Sequence, residues 1–120
     1  MESIEKIEAF KLRTKMLALR VIKLFQSLPK TDEARIIGKQ LLRSSTSVAA
    51  NYRASCRSRS DAEFFSKISI VIEEADETLL WLEILYEAEI VSQERLQSLL
   101  NEYEEVVKIV NTVRHNRKKK

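Results

Sequence analysis

The chain has 120 residues, 44% of them hydrophobic and 32% charged, with one glycine, one proline and a formal net charge of +3. That length suits one domain with a single apolar core. So few chain breakers exclude a turn-rich sheet protein, and periodic apolar residues exclude disorder. The positive balance is concentrated: Arg114, Arg117, Lys118, Lys119 and Lys120 supply five cations, and without them the net charge turns negative. A high isoelectric point is therefore not by itself a signature of nucleic-acid binding.

In chain order, the first helix is expected over residues 4–28. Ile7, Phe10, Thr14, Leu17, Val21, Leu24 and Leu28 recur at three- and four-residue steps and so share one face. Pro29 stops it, and Thr31 or Asp32 supplies a cap for the next helix. The second spans residues 33–57, with Ile37, Leu41, Ser44, Val48, Asn51, Tyr52 and Ser55 toward the core. Its run Ser44-Ser45-Thr46-Ser47 is poor in helix formers; small side chains there let a neighbouring helix come close. With no base beside it, the run does not read as a hydroxyl active site.

Ser60 or Asp61 starts a third helix over residues 61–89, with a core seam of Phe64, Ile68, Ile72, Ala75, Leu79, Leu82 and Tyr86. Ser92 caps the fourth, residues 93–113, where Leu96, Leu99, Leu100, Tyr103, Val106, Val107 and Val110 repeat the pattern. Long helices with short links make antiparallel neighbours, so the expected fold is an all-α, up-down-up-down four-helix bundle over residues 1–113. Residues 114–120 are expected to form a basic flexible tail.

A bundle helix needs one apolar stripe, and the third helix has a second. Ile70, Trp81, Ile84, Leu85 and Ala88 fall roughly opposite the Ile68–Ile72–Leu79 seam, with Glu63, Lys67, Glu74 and Glu77 interspersed. On the first helix Leu12, Met16 and Leu19 likewise sit away from the core face. An apolar strip edged by charge fits a subunit interface, so Leu12, Met16, Leu19, Ile70, Trp81, Ile84 and Leu85 are the candidate oligomer contacts. The alternative is one broad stripe that a single bundle covers.

On the second helix Lys39, Arg43, Arg53 and Arg57 share a narrow sector. They either pair with the acidic run Glu73, Glu74, Asp76 and Glu77, or form a ridge for phosphate groups of RNA or DNA. In the second case Arg43, Arg53, Arg57, Arg117, Lys118, Lys119 and Lys120 are the candidate nucleic-acid contacts.

No catalytic residues, cofactor or metal site are expected. The third helix has no histidine, so the Glu-x-x-His pattern of di-iron bundles is missing. Gly38 is the lone glycine, which excludes Gly-rich phosphate loops, and His115 is the lone histidine, which leaves no Ser-His-Asp set to assemble. Cys56, the single cysteine, is expected to be buried or half-buried. Met1 to Glu5 show no basic segment leading into an apolar run, and no stretch approaches the roughly 20 apolar residues of a membrane span. A cytoplasmic protein is expected.

The stretch Leu41-Leu42-Arg43-Ser44, Ser47, Ala50-Asn51-Tyr52-Arg53 and Arg57-Ser58-Arg59-Ser60 resembles the four-helix bundle family of bacterial 23S ribosomal RNA intervening-sequence proteins. The likeness continues through Phe64, Lys67, Glu73-Glu74-Ala75-Asp76-Glu77-Thr78 and Trp81-Leu82-Glu83. The resemblance implies a non-enzymatic homopentamer, an assembly or adaptor module without established catalytic residues. A related accessory protein of diversity-generating retroelements binds nucleic acid and a reverse transcriptase, which makes nucleic-acid binding the alternative. Where many relatives follow the helix-two Asn with Ile-Ala-Glu-Gly, Tyr52-Arg53-Ala54-Ser55 follows Asn51, the mark of another branch. Asn51 is expected to be satisfied by a side chain of the third helix.

Overall fold

The computed structural model describes residues 3–118, which form four α-helices: α1 (Ile4–Gln26), α2 (Asp32–Cys56), α3 (Asp61–Glu87) and α4 (Gln93–Lys118). Every helix begins on a hydroxyl side chain that accepts an otherwise unpaired backbone N–H. Ser3 accepts from Lys6 at 3.1 Å, Thr31 from Ala34 at 3.3 Å, Ser60 from Glu63 at 3.1 Å and Ser92 from Arg95 at 3.3 Å. α1 ends at Gln26, two residues earlier than expected, because Ser27 already closes it with bonds from its N–H and its hydroxyl to the Leu24 carbonyl.

Neighbouring helices run in opposite directions. The Phe10 ring meets Tyr52 edge-on at 4.8 Å, while Phe25 lies against Gly38, so α1 and α2 are antiparallel. Arg13 reaches Glu102 and Glu105 whereas Ser27 accepts from Arg95, and Asp61 pairs with Arg117 whereas Ser69 accepts from Arg114. These pairs set α4 antiparallel to both α1 and α3. The bundle measures 48 × 22 × 20 Å, one helix length by two helix diameters.

The core follows most of the expected stripes of α1, α2 and α4: Leu17, Val21, Leu41, Val48, Leu96, Tyr103, Val106 and Val110 are all buried, whereas Ile7, Ile37, Asn51 and Val107 of those stripes are only partly buried. α3 differs in one respect. Its buried arc is Phe64, Ile68, Val71, Ala75, Thr78, Leu82 and Leu85. The expected Ile72, Leu79 and Tyr86 are only partly buried, at the flank. Wedged between α2 and α4, α3 turns toward α2, where the Thr78 hydroxyl lies 2.8 Å from both Ser44 Oγ and the Glu74 carbonyl. Ser44 and Ser45 are fully buried, so the small-residue run of α2 does admit its neighbours closely. Gly38 does the same at the other end: a Cβ there would come within 2.7 Å of the Phe25 ring and 2.8 Å of Leu28.

Two expectations are overturned. Cys56 is exposed, because it occupies the last turn of α2 where the helix leaves the bundle. The fourth helix, expected to end at residue 113, runs on through the segment expected as a tail: α4 continues to Lys118. No breaker interrupts it, and Arg114 and Arg117 are anchored on α3, the latter lying over the Phe64 ring at 4.2 Å. Lys119 and Lys120 lie outside the described residues. Among the described residues no helix is long and apolar enough to cross a membrane.

Candidate interaction surface

The surface of α1 opposite its core carries Leu12, Met16 and Leu19, one and two turns apart, exposed by 55%, 49% and 47%. Beside them a groove runs between α1 and α2, with Glu8, Lys11, Leu12 and Lys15 on one bank, Thr46, Ala50 and Arg53 on the other, and Ala18 and Ala49 between; Glu8 pairs with Lys11 at 2.7 Å.

On α3 the strip is less open. Ile70, Trp81 and Ile84 are half-buried, and the Trp81 ring packs against the edge of the core. Leu80, one turn from Ile84, is 47% exposed and extends the strip. Leu85 leaves the set of interface candidates: it is fully buried, because the rotation of α3 toward α2 carries it into the core.

Arg43 of α2 sits between two carboxylates of α3. Its Nη1 donates to Glu74 Oε2 at 2.9 Å, its Nη2 to Glu77 Oε1, and its Nε to Gln40 Oε1 of its own helix at 3.1 Å. The Trp81 indole N–H donates to the same Glu77 oxygen at 3.2 Å. Burial pushes the Glu74 carboxyl above its ordinary value. Its neighbour Glu77 is held below the ordinary value by hydrogen bonding to Glu74, then to Arg43 and Trp81. The arrangement is a clamp: one guanidinium holds two carboxylates one turn apart and, through Glu77, orients the indole. Of the two fates open to Arg43, pairing with the acidic run prevails, and it does so within one chain.

Arg53 and Arg57 are exposed, and among the described residues no ion pair engages them. Arg117 is committed to Asp61 at 3.0 Å. Lys118 closes α4, and its side chain lies outside the described residues together with Lys119 and Lys120. The structure therefore brings Arg53 and Arg57 together on the outer face of α2, and places Arg117 at the same end of the bundle, where it lines a second pocket with Cys56, Ser58, Asp61 and Phe64. Asn51, expected to reach α3, instead donates to the Ser47 carbonyl and hydroxyl of its own helix at 3.0 and 2.9 Å. A side chain four residues back is nearer than the next helix. Among the described residues no three His, Cys, Asp or Glu side chains gather as metal ligands.

Leu80 went unnoticed in the sequence, although its spacing to Ile84 offered the signal. So did the division of charge between the two halves of the chain, which a count helix by helix would have found.

Fold and surface together define an all-α antiparallel four-helix bundle whose distinctive features are outward-facing apolar strips and a paired charge clamp. The chain belongs to the family of 23S rRNA-intervening sequence proteins, whose family model matches residues 5–112. A crystal structure of a protein with unknown function from the S23 ribosomal protein family of Bacteroides thetaiotaomicron is similar to it. The two superpose with a TM-score of 0.85 at 32% sequence identity, over 92% of this chain and 98% of the other. No functionally curated protein matches the chain.

Proposed function

We propose that the protein is a non-enzymatic homo-oligomer that serves in the cytoplasm as an assembly or adaptor module, with five copies the number implied by the family resemblance. The observation that carries this reading is the pair of apolar strips outside the core. Leu12, Met16 and Leu19 on α1, and Ile70, Leu80, Trp81 and Ile84 on α3, all retain solvent-accessible apolar surface in the isolated bundle. Covering such surface contributes about 25 cal/mol per Å². Two strips on different helices offer more contact area than one, toward the roughly 800 Å² per partner of a stable interface.

Light scattering behind a sizing column tests this. The wild type is expected to run as a multiple of 14.0 kDa at tens of micromolar. Trp81→Glu is expected to run as a monomer with its helical circular dichroism intact. Because Trp81 also touches the core edge, Met16→Glu, at a site with half its surface already in water, is the companion variant. A monomeric wild type refutes the proposal.

The exposure of Arg53 and Arg57 without ion-pair partners supports a second reading, an accessory protein that binds RNA or DNA. An oligomer would multiply weak phosphate contacts by avidity. Binding to mixed RNA and DNA should then fall steeply with salt, and Arg53→Ala/Arg57→Ala should flatten that slope more than removal of residues 114–120 does. Absent or salt-insensitive binding dismisses this reading.

A further inference from the structure

The bundle is electrically two-faced. Residues 9–60, which hold most of α1 and all of α2, carry twelve Lys and Arg and only two acids, Asp32 and Glu33. Residues 61–113, which hold α3 and most of α4, carry thirteen Asp and Glu and only three cations. Helices α1 and α2 pack side by side, as do α3 and α4, so the two halves of the sequence become two sides of the molecule.

At both seams between the sides the opposite charges meet and neutralise. Arg43 bridges α2 to Glu74 and Glu77 of α3, and Arg13 bridges α1 to Glu102 and Glu105 of α4. Away from the seams Lys11 pairs with Glu8 and Arg117 with Asp61, while other charges have no ion-pair partner among the described residues. Lys15, Arg53 and Arg57 remain exposed on the basic side, and Glu73, Asp76 and Glu87 on the acidic side.

Each side also bears one of the apolar strips. Lys15 lies between Leu12 and Leu19 on α1, with Arg53 across the groove. On α3, Glu73 and Glu87 lie two turns either side of Leu80. An apolar strip edged by cations and an apolar strip edged by anions are complementary to one another, and each is repelled by its own kind.

We infer that the basic α1–α2 side of one copy docks on the acidic α3 side of the next, an inference that rests on the oligomeric reading above. Contact between unlike faces is heterologous: it is repeated by rotation into a ring or by translation into a filament, and it disfavours a two-fold dimer, which would set like charges against each other. A polyanion such as nucleic acid would match the cations of the basic side but leave Leu12, Met16 and Leu19 without an apolar partner. A second copy matches both.

Charge reversal tests the pairing. Lys15→Glu/Arg53→Glu reverses the basic side and Glu73→Lys/Glu87→Lys the acidic side, all at exposed positions outside the intramolecular ion pairs. Each variant alone is expected to assemble at least about tenfold more weakly than wild type, since its two docking faces now carry like charge. Combining all four reversals in one chain is expected to regain assembly, because every junction then again joins opposite charges whatever the number of copies. Wild-type assembly should also weaken as salt rises.

Wild-type-like assembly by both variants, or a fourfold variant that stays dissociated with its helical circular dichroism intact, overturns the pairing of faces while leaving the oligomer standing. A monomeric wild type removes both. If reversal of the basic side abolishes binding to mixed RNA and DNA and leaves assembly intact, the basic side serves a nucleic acid and the inference falls.

Discussion

Arg43 is the residue on which most of the surface chemistry converges. It is half exposed, yet it holds Glu74, whose side chain retains only 15% of its accessible surface. Removing it leaves two neighbouring carboxylates facing each other, one of them largely desolvated, so Arg43→Ala should cost about 1–2 kcal/mol at pH 7. The pH dependence follows from the opposed shifts. Glu77, held below the ordinary value of 4.5, contributes stability that is complete above that value and is lost as pH falls through its lowered pKa. Glu74, raised above 4.5, does the reverse: the fold gains stability as pH falls toward its raised pKa and the carboxyl takes up a proton. In Arg43→Ala the repulsion between the two charges is greatest at neutral pH and is relieved as Glu74 protonates. The gap in Tm between wild type and variant should therefore shrink from pH 7.5 to pH 5; a constant or widening gap contradicts the clamp. Tyr103 is a different case, fully buried with Ser45 as its polar neighbour and no hydrogen bond of ordinary geometry closing on its hydroxyl. Burial pushes its phenol above the ordinary value, so it stays neutral and acts as core.

At the scale of elements, the helices are bounded by local chemistry that is easy to name. The end of α3 is the instructive one. The Glu89 N–H donates to the Tyr86 carbonyl and the Ile90 N–H to the Leu85 carbonyl at 2.9 Å, a Schellman turn that requires the residue between helix and link to be left-handed. Glu89 takes that conformation with φ of 60° although it carries a Cβ. Glycine adopts it without the steric penalty, so Glu89→Gly should stabilise the protein by about 0.5–1 kcal/mol, seen as a rise in the urea midpoint at unchanged slope. A lower midpoint would show that the Glu89 side chain contributes something its backbone geometry conceals. The same local logic made the four helices legible: serine or threonine at each start and Pro29 after the first are signals that do not depend on the rest of the fold. The α4 terminus was misjudged because its anchors, Asp61, Phe64 and Ser69, lie about fifty residues away in sequence.

At the scale of the molecule, the charged sides and apolar strips tie stability to concentration. If association covers the strips, the assembled state is favoured by mass action, and Tm should rise with protein concentration in the wild type but not in Trp81→Glu. A wild-type Tm that does not vary over a hundredfold dilution through the association range would count against assembly.

The sequence alone determined the four helices, cap candidates for the last three, the order of the bundle, the family, and the presence of apolar residues in excess of one core on α1 and α3. These follow from periodicity and cap chemistry, which act over three or four residues. Only the tertiary structure decided which residues of α3 are interior. A helix pattern gives relative angles around its axis, whereas the absolute rotation depends on both neighbours, and this is why Val71, Thr78 and Leu85 displaced Ile72, Leu79 and Tyr86. The partners of Arg43, Asn51 and Arg117, and the placing of two oppositely charged halves on two sides of one bundle, likewise depend on distances across helices that spacing along the chain does not encode.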